Sequence, residues 1–432
     1  MNRSLPAFLA ALLVLPVSPA AAVATPVHRD EAVPAEAPLS AVASRRRAAI
    51  AAGMPEELAE LVAAAVTRLL AIEEPIAEGP WPYEGVYRVR GQIPIGYRVG
   101  GSAIVASALL QAPGYGVDAE RRAAVSRAAE FVADAIADPR MSPQYAGGYD
   151  VRGWGYIYGL RFLLAFESAG APPELAERVD AAIEFYLASL QAIEIPRVGG
   201  WNYARRGRLD QPSSVAPFMT SPAVRALLEA ERSGRRVDGE AIRRGLDALV
   251  ACRGADGTFI YMGSGREPID PGSRPGAIGR MVSAEPLLLA AGRSSPARVR
   301  EAVEAFLAYW EELESRRAKT GTHLPPYGVA PYYFMFAHGA AAEAIESLPE
   351  AWRGGLRRAL LDRLRSVRAE DGSWNDRVFP RSANYGTALA LEAMLSPWAP
   401  PIPSPREAEA AGDASPPPSP PPPQDLGPER NP

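Results

Sequence analysis

"LLDRLRSVRAEDGSWNDRVFPRSANYGTALALEAML", Leu360 to Leu395, decides the fold. It reads as an amphipathic helix, a glycine-aromatic turn and a second, apolar helix rich in small residues. Trp352, Leu356, Leu360, Leu364 and Val367 fall on one helical face. Gly372 lets the chain turn with positive φ, and Trp374 can then fold back on the helix end. A second copy runs from Tyr186 to Ala230, with "VGGWNY" at its turn.

Working outward, the unit occurs six times. Leu58, Leu61, Val62, Ala65, Val66, Leu69 and Leu70 form one continuous stripe, and Val125 to Ile136, Leu175 to Leu190, Ile242 to Val250 and Val299 to Trp310 repeat it. The turns that follow are "EGPWPY" (Glu78 to Tyr83), "AGGYDVRGWGY" (Ala146 to Tyr156), "VGGWNY", "ADGTFIY" (Ala255 to Tyr261), the irregular "THLPPYG" (Thr322 to Gly328) and "EDGSWND" (Glu370 to Asp376). The next helices, such as "YRVGGSAIVASALL" and "GWGYIYGLRFLLAFE", are apolar nearly all round. A helix of that kind is buried on all sides. Six amphipathic helices alternating with six buried ones close into an all-α (α/α)6 toroid, with an inner and an outer ring. An open solenoid is the alternative.

The chain has 432 residues, 47% of them hydrophobic, and a net charge of -4. The size suits a large core, and nothing in the charge calls for a nucleic-acid partner. Arg3, the apolar stretch Phe8 to Val17 and the small residues Ala20 to Ala24 read as a secretory signal peptide over residues 1–24. That stretch is well short of the ~20 residues of a membrane span. Residues 25–44 read as a linker, 45–398 as the toroid and 399–432 as a proline-rich tail that favours polyproline II. The expected location is secreted or periplasmic, with no membrane span after cleavage. Cys252 is the only cysteine, so no internal disulfide forms and a buried thiol is expected.

The turns resemble the prenyltransferase/squalene-oxidase repeats of terpenoid cyclases and protein prenyltransferases. The matching residues are Asp371-Gly372-Ser373-Trp374, Asp256-Gly257-Thr258-Phe259, and Gln191 with Gly199-Gly200-Trp201. The resemblance spans about Met54 to Leu395 and implies the toroid. It implies an activity only where the family's catalytic motifs are present. No Asp-x-Asp-Asp cluster occurs, and Asp210, Asp270 and Asp376 stand alone. Cys252 lacks the Asp-x-Cys context of a zinc site, and His323 and His338 have no partner cysteine. No metal or cofactor is expected.

The default site of a toroid is its hole. Candidates to bind a ligand there are Tyr97, Arg98, Asp150, Arg152, Trp154, Tyr156, Gln211, Arg280, Tyr332, Tyr333 and Tyr385. Their aromatics could stabilise a cation, stack on a sugar or simply pack the turns. Glu285, His338 and Asp210 are the candidate acids and bases. Glu285 sits in an apolar helix with Arg280 as its expected partner, and His338 is a lone histidine in another. The functional expectation is ligand or partner binding in the cavity, the occupant being a lipid, a glycan or a protein. The alternatives are an isoprenoid enzyme with non-standard acids, or a carbohydrate-active toroid, lyase or glycosidase. The address label predicts a mature N-terminus at Val23 or Thr25 by N-terminal sequencing of exported protein; an intact Met1 contradicts it.

Overall fold

The computed structural model describes residues 39–146, 151–203, 205, 209–263, 274–317, 319, 321, 325–328, 333–376 and 378–405. Among them the regular structure is α-helical, with only isolated β-bridges. After a first helix, α1 (Leu39–Ala51), the outer ring contains α2 (Glu56–Ala71), α4 (Ala119–Asp134), α6 (Pro173–Ala192), α8 (Gly239–Ala251), α10 (Pro296–Ala308) with its continuation α11 (Trp310–Arg317), and α13 (Glu350–Ser366). The inner ring contains α3 (Ile95–Gln111), α5 (Arg152–Ser168), α7 (Pro217–Arg232), α9 (Arg274–Ala290), α12 (Tyr333–Glu346) and α14 (Ser382–Leu395). The inner helices pack in sequence order, and α14 packs back on α3, so the ring closes. The chain is an all-α toroid of six helix pairs; the open solenoid is excluded by that contact.

Burial follows the sequence pattern. Helix α2 buries Ala59, Val62, Ala63, Ala65, Val66 and Leu69 along one stripe. Helix α5 is buried at all but a few positions from Arg152 to Phe166. Apolar burial, worth roughly 25 cal/mol per Å2, is the main stabilising term where no disulfide exists. The closing seam adds ion pairs between Arg68 and Asp371 at 2.6 Å, Arg365 and Glu57 at 2.8 Å, and Arg381 and Glu74 at 2.8 Å. Their charges are partly exposed, so each contributes little. Asn384 Nδ2 also donates to Pro82 O across the seam, at 3.0 Å.

The turns are hinged by a repeated pair of hydrogen bonds. Trp81, Trp201 and Trp374 each donate the indole N–H to a carbonyl in the last turns of the preceding outer helix, Leu69 at 2.9 Å, Leu190 at 2.8 Å and Leu364 at 2.7 Å. Each backbone N–H donates to a hydroxyl on the following inner helix, Ser102 at 3.2 Å, Thr220 at 2.9 Å and Thr387 at 3.0 Å. The indole therefore adds a donor to a carbonyl in the last turns of the helix, where backbone N–H partners run out. At the fourth turn Arg280 Nε donates to Phe259 O at 2.9 Å instead. In the first and last of these hinges a glycine before the inner hydroxyl allows the close approach: a Cβ on Gly101 would stand 2.6 Å from Trp81 O, and one on Gly386 would stand closer still to Trp374 O.

Two boundaries differ from the sequence reading. Helix α1 begins at Leu39, inside the segment 25–44 expected as linker. Its Arg45, the first residue of the expected toroid, is buried and pairs with Asp118 at 2.8 Å and Glu120 at 2.7 Å, and the helix that carries this anchor extends back to Leu39. At the other end, residues 399–405 of the expected tail are described and Pro403 is buried. Residues 1–38 and 406–432 lie outside the described residues. No described helix is long and apolar enough to cross a membrane. Cys252 is buried, which pushes its thiol up to about 12 and keeps it unreactive.

Gly386→Ala is expected to cost roughly 1–3 kcal/mol, because the new Cβ meets a backbone carbonyl that cannot rotate away. Urea unfolding measures it; an unchanged midpoint contradicts the hinge geometry.

Candidate functional site

Most of the sequence candidates gather in the first turns of the inner helices. Tyr97, Trp154 and Tyr385 surround Tyr83, with ring centroids 5.0 Å, 5.5 Å and 4.6 Å from it. Phe218 packs edge-on against Tyr333 at 4.8 Å, and the Arg280 guanidinium lies 5.7 Å from the rings of both Tyr261 and Tyr333. All these rings but the half-buried Tyr261 are buried, and they fill one end of the ring interior. Tyr156 donates its hydroxyl to Met141 O. Arg98 donates to Glu78 O at 2.8 Å and to Ala77 O, and Arg152 donates to Tyr145 O at 2.6 Å and to Ser142 O. Asp210 and Gln211 are exposed in the loop before α7, with Gln211 Nε2 3.4 Å from Asp210 Oδ2. Asp150 and Tyr332, and with them Asp270 and His323, lie outside the described residues.

Glu285 is buried, but its partner is Arg253, at 3.2 Å from both oxygens, together with the Ser294 hydroxyl. The expected pairing with Arg280 does not form. Five residues turn a helix about 140° away from the starting face, and Arg280 is held by Phe259 O. His338 is buried with both ring nitrogens engaged: Trp310 Nε1 donates to Nε2 at 2.9 Å, and Nδ1 donates to Phe334 O at 2.7 Å. Burial pulls its pKa down to about 4, so the ring is neutral near pH 7.

The opposite halves of the inner helices enclose a cavity of about 620 Å3. Tyr158 and Arg161 enter it from α5, Arg225 and Glu229 from α7, Glu343 from α12 and Glu392 from α14. Arg161 grips Glu229 with two bonds, Nε at 2.8 Å and Nη2 at 3.1 Å. Arg225 Nε adds a third at 2.8 Å, and its Nη1 pairs with Glu343. Ile104, Leu287, Phe336 and Leu389 supply apolar wall, and Ala399, Pro400 and Ile402 border the cavity where the chain leaves α14.

These surroundings drive two carboxyls apart. Burial opposes ionisation of Glu229, but the charges and hydrogen bonds of Arg161 and Arg225 outweigh it and hold the group down at about 2. Burial raises Glu392 to about 7; Arg161 and Arg225 offset part of that rise, and the Glu229 charge adds to it. No side-chain hydrogen bond to Glu392 is present among the described residues. The cavity therefore holds one carboxylate that is always ionised and one that exchanges its proton near neutrality. Such a pair can serve acid and base chemistry.

None of these cavity residues was a sequence candidate. The signal that singled out Glu285 and His338, a charged or titratable residue in an all-round apolar helix, also marks Arg161 in "GLRFLLAFE", Glu343 in "AAAEAI" and Glu392 in "ALALEAML". Arg225 and Glu229 are spaced four apart, so they share a helix face.

No protein-family model matches the chain, and no curated protein matches it. Solved structures do. A D-mannose isomerase aligns with a TM-score of 0.51 and 13% identity over 79% of this chain and 97% of that one. The cellobiose 2-epimerase of Spirochaeta thermophila DSM 6192 aligns with a TM-score of 0.51 and 14% identity over 79% of this chain and 96% of that one. Likeness at this identity establishes the fold class, an α/α toroid. The similarity expected from the turn motifs thus holds for the architecture; neither neighbour is a prenyltransferase or squalene cyclase.

A raised carboxyl pKa costs stability once the group must ionise. For Glu392 the cost is absent below its ordinary value of 4.5, grows as pH rises and is complete above about 7. Glu392→Gln is therefore expected to match the wild type near pH 4 and to exceed it at pH 8, by up to about 3 kcal/mol. Denaturant midpoints across that range measure it; a gap independent of pH contradicts the burial of this carboxyl.

Proposed function

We propose that this protein is an exported carbohydrate-active enzyme that works in the central cavity of its toroid, with Glu392 as its proton donor. The observation that carries the reading is the Glu392 carboxyl, raised to about 7 inside a cavity of about 620 Å3 whose wall is part charged and part apolar. That volume suits a small ligand of sugar size. Arginine forks, carboxylates and the wall hydroxyls of Ser107, Ser221 and Ser283 match a hydroxyl-rich ligand, and Tyr158 and Phe336 offer rings to a sugar face. The two structural neighbours are named for activities on sugars, which agrees with this reading.

Glycoside hydrolysis is the chemistry the groups suit best. The neutral Glu392 donates its proton to the glycosidic oxygen as the bond to the anomeric carbon breaks. Water adds to that carbon and gives up its proton to a second carboxylate, for which Glu343 on the neighbouring helix α12 is the candidate. Glu229 is the weaker candidate, because three N–H groups occupy its oxygens; its part is to orient Arg161 and Arg225. Elimination by a lyase would need a readily ionised base, and burial moves the Tyr158 phenol in the wrong direction.

A prenyltransferase or squalene-cyclase activity, which the turn motifs also suggested, fits less well. An isoprenoid needs an oily chamber, whereas the aromatic residues here pack on one another at the opposite end of the inner helices. Export agrees with the Arg3, Phe8 to Val17 and Ala20 to Ala24 pattern and with a glycan substrate outside the cell.

A panel of chromogenic glycosides tests the activity. On the substrate that turns over, Glu392→Gln is expected to lower kcat by about 10²–10⁴-fold while ligand affinity stays within a few-fold. The wild-type rate is expected to fall as pH rises through about 7, where the acid ionises. Unchanged turnover in the variant removes Glu392 from the chemistry. Tight sugar binding with no turnover on any glycoside leaves a binding protein.

A further inference from the structure

Two guanidinium groups in the cavity are only partly used. Arg161 spends Nε and Nη2 on Glu229, and Arg225 spends Nε on Glu229 and Nη1 on Glu343. Among the described residues, Arg161 Nη1 and Arg225 Nη2 have no protein partner. Both arginines line the cavity, and Glu229 binds both, so one carboxylate fixes the direction of two forks. A rigid fork with a spare N–H is a strong receptor for an oxyanion, and the ordering entropy has already been met by the Glu229 pair.

The cavity charge selects the kind of anion. Three arginines, Arg161, Arg225 and the exposed Arg232, and three glutamates, Glu229, Glu343 and Glu392, line the cavity. With Glu392 protonated, one positive charge is unbalanced. A singly charged carboxylate neutralises it; a dianionic phosphate would leave a net negative charge in a low-dielectric site.

We propose that the sugar taken by this cavity carries a carboxylate, a uronic acid or a glycan built from one, held by Arg161 and Arg225 with Glu229 as their positioning residue. The inference rests on the carbohydrate reading above and specifies its substrate class. It also gives the half-buried Glu229 pair a purpose beyond stability.

Isothermal titration of the full-length wild-type protein compares D-glucuronate and D-galacturonate with D-glucose, D-galactose and acetate. At least one uronate is expected to bind about ten-fold tighter or more than its neutral counterpart and than acetate. Arg161→Lys, which keeps the charge and loses the fork, is expected to remove that preference by lowering uronate affinity about ten-fold more than neutral-sugar affinity. Neutral sugars binding as well as or better than the uronates overturn the acidic specificity and leave the carbohydrate function standing. Acetate binding as tightly as a uronate leaves an anion site and overturns the carbohydrate function. Binding of none of them overturns both. The wild-type comparison decides the matter even if the variant does not fold.

Discussion

The toroid depends on a hydrogen bond made at a helix end. An outer helix ends with carbonyls that have no acceptor role left inside the helix, and these face the core rather than water. In three of the six units a tryptophan indole meets one of them, and the same residue's backbone N–H ties down a hydroxyl on the next helix. The hinge thus fixes three things at once: where the outer helix stops, how the chain reverses and which face of the inner helix turns outward. Once repeated, that geometry brings α14 against α3 and closes the ring.

Closure creates two environments from one set of inner helices. At their starts, large rings from successive helices meet and fill the space, Tyr83, Tyr97, Trp154 and Tyr385 in one cluster and Phe218 and Tyr333 in another. Further along, smaller side chains such as Ser107, Ser283 and Gly339 leave room, and the charged groups occupy it. Polar groups buried there must satisfy one another. Arg161 and Arg225 do so for Glu229, while each keeps an N–H for the cavity, and Glu392 is left as the carboxyl whose ionisation burial can resist.

The architecture was legible because it is periodic. Leu360 and Leu364, Gly372, Trp374 and the small-residue run from Ala383 declare one unit, and the other copies correct its ambiguities. The site was not legible, because it is made by convergence. Arg161, Arg225, Glu229, Glu343 and Glu392 come from four helices, and each reads locally as one charge in an apolar stretch. The same pattern marks Glu285 and His338, which packing and hydrogen bonds bind into the protein body. Only the ring separates the two groups, by deciding which charges face the hole. Aromatic residues misled for a related reason: a ring near a turn looks like a ligand platform, and here the rings stack mainly on each other.

The claim on which the functional account rests is the protonation of one side chain. Carbon-13 NMR of protein labelled at the glutamate carboxyls, with the Glu392 signal assigned by its loss in Glu392→Gln, follows that carboxyl through pH. The account predicts a midpoint near 7, well separated from the other glutamates, and a Glu229 signal that stays ionised down to about 2. A Glu392 midpoint at its ordinary value, near 4.5, would show a solvated carboxylate and contradict its role as the acid of the cavity.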